Sequence, residues 1–137
     1  EDDRESTSRA WRFVQRYKNQ YAPGFMAGWD IGRAAMLTRW GCYLGWITES
    51  EAVGILWDLS QKVVEELHSW REFAQSYLFG GLMWKLLCGD SSAGSYLGYI
   101  ADAAADLLAG KAAQNGGQWR DCPWPAQRKI GFAYYYV

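Results

Sequence analysis

Two four-residue strings, TESE at Thr48–Glu51 and SWRE at Ser69–Glu72, constrain this chain more than any other stretch. Each matches the capping box, in which a Ser or Thr hydroxyl accepts an amide of the first helical turn and the carboxylate three residues on returns the bond. Each therefore marks a helix start. Stop signals stand between the other segments. APG at 22–24 combines a Pro that lacks a donor with a Gly that permits a turn, GDSS at 89–92 breaks the chain and can cap a fifth helix, and Gly110 ends that helix.

Apolar residues fill the intervals at helical spacing. A first helix is predicted over about Ser8–Tyr21, with Ala10, Val14, Tyr17 and Tyr21 on one stripe. A second runs from about Met26 to Leu44, placing Trp29, Met36, Leu37, Trp40 and Leu44 on one side with Arg33 among them. The third, about Glu49–Leu67, gathers Ala52, Ile55, Leu56, Leu59, Val63 and Leu67. The fourth, about Trp70–Leu87, is apolar nearly all round beyond Tyr77 and reads as the central buried helix. The fifth buries Leu97, Ile100, Ala101, Ala104, Leu107 and Leu108, and Gly110 closes it. Residues 111–137 read as an irregular packed tail, with the terminal FAYYYV lying as an aromatic strap on the bundle. The expected fold is all-α, one compact bundle of about five helices over 1–137 with an aromatic-rich irregular C-terminal tail.

Composition narrows the function classes. The greasiest run, YLFGGLMW followed by Lys85 and LLCG, is too short and interrupted to span a bilayer. Cys42, Cys88 and Cys122 lie far apart without CxxC or Cys/His spacing, which reads as reduced thiols of a cytoplasmic protein and not as a zinc site or disulfide framework. Net charge is −1, but residues 49–110 carry nine acids against three bases while both flanks are basic. That disfavours nucleic-acid binding, which wants a concentrated basic face, and leaves an acidic surface for a basic protein. Nine Trp and nine Tyr suit both cores and interfaces.

Few residues suggest chemistry. His68 is the lone histidine, at a helix junction, and reads as an end-of-helix residue complementing the dipole. The pairs Glu65/Glu66 and Asp102/Asp106 have no His or Cys neighbour, so no metal and no cofactor is assigned. Arg33 on an apolar face needs a partner, and Asp30 three residues earlier can supply it. This pair, flanked by Trp29 and Trp40, reads first as a semi-buried ion pair fixing the helix. The alternative is a Trp-walled pocket for an anionic substrate floored by Asp30, Arg33, Arg39 and Arg120. Trp119, Arg120 and Trp124 in WRDCPW fit a functional loop and a plug sealing the bundle end equally well.

The ordered series WDIGR, RWG, GWITESEA, SWREF, YLFG and WRDCPW resembles the bacterial domain-of-unknown-function 1266 family, the YbeU/YbeR-like proteins, over about residues 28–124. AQRKIGFAYYYV has no counterpart there. The resemblance implies a helical, cytoplasmic domain without established activity, and marks Trp29, Asp30, Arg33, Arg39, Trp40, Ser69, Trp70, Glu72, Phe73, Trp119 and Trp124. Ser69 and Glu72 already have a folding role as a cap. The expected function is a non-enzymatic protein-binding domain of the immunity type, which neutralises a cognate, basic toxin domain. Glu65, Glu66, Asp102 and Asp106 would steer the partner, and Trp119 and Trp124 would anchor it. The alternative from another class is a small enzyme or toxin domain using the Asp30/Arg33/Arg39/Arg120 pocket. A third, a structural subdomain of a longer protein, rests on Glu1 standing where a start Met would.

Overall fold

A computed structural model describes residues 2–21, 23–110 and 118–125. The FAYYYV strap and the stretch 111–117 of the expected tail lie outside them. The described residues form helices α1 (Asp2–Tyr17), α2 (Ala27–Tyr43), α3 (Glu49–Glu66), α4 (Trp70–Leu87), α5 (Ala93–Ala109) and a single turn, α6 (Gln118–Asp121), with a 3₁₀ turn at Pro23–Met26 before α2. No strand occurs among them, and the all-α expectation holds.

Local chemistry sets most of these bounds. At Thr48 the capping box is complete: Oγ1 accepts the Glu51 amide at 3.2 Å, and the Glu51 carboxylate accepts the Thr48 amide at 2.8 Å. The Thr48 amide and hydroxyl hold the Glu51 carboxyl below its usual range. At Ser69 only half of the box forms. Its hydroxyl accepts the Glu72 amide at 3.0 Å, but the Glu72 carboxylate reaches one residue further back, to the His68 amide at 2.8 Å. α1 starts earlier than its apolar stripe predicts because the polar run before Ser8 carries Glu5 one helical turn ahead of Arg9, an ion pair at 3.7 Å. The helix also stops earlier, and Tyr21 leaves the stripe to stack on Phe25 with ring centroids 3.9 Å apart.

α2 packs against α3 on one side and α4 on the other; α4 also meets α1 and α5, and α6 lies on α5. α4 thus takes the central place. The packed centre is built from small residues, with Ala10, Ala52, Ala74, Ala93 and Ala104 buried beside Phe25 and Leu67. Close approach is what they permit. At Gly80 of α4 a Cβ would collide with the side chain of Trp29 on α2, so the seam between these helices closes only around glycine. Beyond that seam α2 is covered on one side only, where Thr38 is buried. Leu37, Trp40 and Leu44, expected on its buried side, are exposed.

Candidate functional site

The joint between α3 and α4 gathers more of the predicted residues than any other place in the described chain. Leu67, fully buried, turns the chain into an extended conformation (φ −123°, ψ 152°), and Ser69 then caps α4. Trp70 occupies the first position of α4. Its ring stacks on Trp119 of α6 with centroids 4.9 Å apart and planes 15° apart, and Trp124 meets it edge-on at 4.9 Å. Phe73, one turn further along α4, stands edge-on to Trp70 and Trp119. Two indole N–H donors stitch the C-terminal segment to this corner. Trp70 Nε1 donates to the Cys122 carbonyl at 2.6 Å, and Trp124 Nε1 donates to the Leu67 carbonyl at 3.2 Å. The second bond satisfies a carbonyl that the end of α3 leaves without a helical partner.

Glu65 and Glu66 lie exposed beside this cluster, and the Glu66 carboxylate hangs over Gly24 of the 3₁₀ turn. His68 is exposed, its Nδ1 3.1 Å from the Glu72 carboxylate, so it braces the cap of α4 and does not complement the end of α3 as its position suggests. The other predicted acids lie elsewhere. Asp102 and Asp106 are exposed on α5, about half a turn away from Ile100, Ala104 and Leu107, which face α4. Glu65 and Glu66 thus stand on a helix that packs on α2, and Asp102 and Asp106 on one that packs on α4 and α6. Trp119 and Trp124 are half-buried in packing, which supports the plug over the free loop.

The anionic-substrate residues are not gathered either. Asp30 and Arg33 are both exposed, and no ion pair joins them among the described residues. The Arg33 guanidinium lies instead over the Trp29 ring, 5.5 Å from its centroid. An exposed cation gains from that face without losing its water, so the semi-buried ion pair is replaced by a surface cation–π contact. Arg39 lines a groove between α2 and α3, and Arg120 pairs with Asp121 at 3.0 Å against Gly110. Among the described residues no cluster of three or more His, Cys, Asp or Glu side chains could hold a metal, and the three cysteines are free.

Two features escape the sequence. The α2–α3 groove, of about 700 Å³, is walled by Met36, Arg39, Trp40, Tyr43, Glu49 and Val53 among others. The dense aromatics of RWGCYLGWIT around a helix-to-helix turn are its only signal. The other is a junction between α4 and α5. Lys85 Nζ contacts Asp90 at 2.6 Å and sits 4.9 Å from the Tyr96 ring centroid, while burial, joined by Tyr77, pushes the Tyr96 hydroxyl up to about 12.

Fold and site together define a small helical bundle whose distinctive residues are caps and packing aromatics. The chain belongs to the family described as Protein of unknown function (DUF1266), whose profile matches residues 1–124. No curated protein and no solved structure matches it. The motifs that carry the resemblance meet in pairs: Trp29 and Gly32 of WDIGR pack on the YLFGG segment of α4, and SWREF packs on WRDCPW. No described helix is long and apolar enough to cross a membrane.

Proposed function

We propose that the chain is a non-enzymatic protein-binding domain whose contact surface is the α3–α4 corner. One observation supports it most: an exposed, adjacent Glu65/Glu66 pair is set beside a rigid cluster of three indoles that is still half-exposed. Acidic side chains on a fixed aromatic base suit a basic protein, steered by charge and anchored on flat apolar area held at little entropic cost. The finer reading is an immunity-type protein of a bacterial cytoplasm that captures a cognate toxin domain of positive charge. Asp102 and Asp106 take no part in this contact.

The test is affinity capture of the tagged chain from its native cells at low and then moderate salt, with mass spectrometry of what is retained. A stoichiometric basic partner should be retained and should leave as salt rises. Glu65→Lys with Glu66→Lys should weaken its retention about tenfold or more, and Asp102→Lys with Asp106→Lys should not. Retention and salt dependence unchanged by the Glu65/Glu66 reversal would overturn the assignment.

A further inference from the structure

We propose that the cleft between α4 and α5 binds a small uncharged aromatic molecule of one ring. The cleft opens where the facing stripes of the two helices carry alanine. α5 turns Ile100, Ala103, Ala104 and Leu107 toward α4, at the +3, +4 and +7 spacing of one helical face. α4 meets them with Phe73, Ala74 and Tyr77. The large residues stand at the ends of this seam and the alanines in its middle, so neither helix fills the gap. The result is a cleft of about 220 Å³, with Ala74 and Ala104 buried and Ala103 exposed at the mouth. Trp119 of α6 adds a further wall, fixed by its stack on Trp70 at 4.9 Å. Native interiors leave few voids larger than a water molecule, which sets this one apart.

Wall chemistry and size together select the occupant. The wall is hydrocarbon almost throughout. A trapped water needs about two to four polar partners and finds almost none there, and an ion or a sugar would give up hydration without return. A peptide segment laid into the cleft would bury its amides unpaired. What remains is a compact hydrocarbon group. An apolar cavity of about 150 Å³ takes benzene, so a cleft of about 220 Å³ admits one ring with a small substituent. Shape narrows the group to an aromatic. Phe73, Tyr77 and Trp119 are three of the walls, and Phe73 already lies 6.1 Å from Trp119 and 6.3 Å from Tyr77, centroid to centroid. A flat guest extends that array at the roughly 4.5–7 Å spacing that aromatic pairs prefer. The cleft shares Trp119 with the α3–α4 corner but does not rest on the partner proposed there.

The experiment is scanning calorimetry of the full chain with and without about 5 mM toluene, paired with nuclear Overhauser contacts between toluene and the wild-type chain. At a Kd of about 0.5 mM, well inside the ceiling for so small a ligand, toluene should raise the melting temperature by about 4 °C. The contacts should run to the methyl groups of Ile100, Ala103 and Leu107. Ala103→Phe fills the cleft from its mouth and should cancel the shift; Ala105→Phe, exposed on α5 outside the cleft, should keep it. Wild type without a shift, as it would be if the chain's own residues 126–137 took the cleft, overturns the proposal. So do contacts to other methyl groups, or a shift that survives in folded Ala103→Phe. If that variant does not fold, the wild-type contacts decide. Toluene that releases a partner captured by the α3–α4 corner would assign the cleft to that partner's side chain and also overturn the proposal. Failure to capture any partner leaves the toluene result standing.

Discussion

Met26 stands at the N-cap of α2 and offers the first amides of that helix no side-chain acceptor. Ser76 supplies one from α4. Fully buried, its hydroxyl accepts the Gly28 amide at 2.8 Å and donates to the Phe25 carbonyl, so it does for α2 from 48 residues away what a local Ser does at a helix start. Ser76→Ala should cost about 2 kcal/mol in urea unfolding, since it strands a buried donor and acceptor together. A loss below about 0.5 kcal/mol would show that the hydroxyl is dispensable. Nothing in the sequence points to this bond. The caps at Thr48 and Ser69 are legible because donor and acceptor lie within one turn, whereas Ser76 reads only as a polar break in an apolar helix. Arg33 departs from its sequence reading for a related reason. Spacing allows both Asp30 and Trp29 as partners, and only the exposure of the site decides between an ion pair and a ring face.

Among the elements, α2, α3, α4 and α5 begin and end within a residue or two of their predicted bounds, because Pro, Gly and hydroxyl caps act locally. α6 is absent from the sequence reading, as four residues carry no period to detect. Only the structure shows how α4 is joined to α5. Ser92 makes no side-chain cap; the Asp90 carboxylate instead accepts the Ser92 amide at 2.8 Å and hydroxyl at 2.6 Å while pairing with Lys85. Those bonds, that of Lys85 foremost, hold the Asp90 carboxyl well below the ordinary 3.8. A carboxyl depressed in the folded state stabilises fully above its unfolded value and loses that contribution as pH falls from there through its lowered folded-state value. Asp90→Asn should therefore lower the melting temperature by a constant few degrees above about pH 5, and the gap to wild type should close progressively below about pH 4. A gap that persists unchanged to about pH 2 would show that the carboxylate charge is not what matters there.

For the whole molecule, the α3–α2–α4–α5 succession is what separates residues that the sequence groups together. Periodicity tells which face of a helix is apolar, but not which neighbour covers it or for how long. Glu65, Glu66, Asp102 and Asp106 read as one surface because all four are acidic; the order of helices puts the first two on α3, which packs on α2, and the last two on α5, which packs on α4. The stripe of α2 reads as core throughout, and its second half is bare. Pairing of the late WRDCPW segment with SWREF has a further consequence, for light. Trp70 and Trp119 lie nearly parallel at 4.9 Å, close enough for their indole transitions to mix into an exciton pair. The ultraviolet circular dichroism should carry a signed couplet that changes in size in Trp119→Phe while the helical bands remain, the part left over belonging to Trp70 with Trp124. A variant spectrum identical to wild type would place the two rings apart in solution. Present, the couplet makes the α3–α4 corner its own optical gauge, read without a label, of whether the C-terminal segment is seated when a partner arrives.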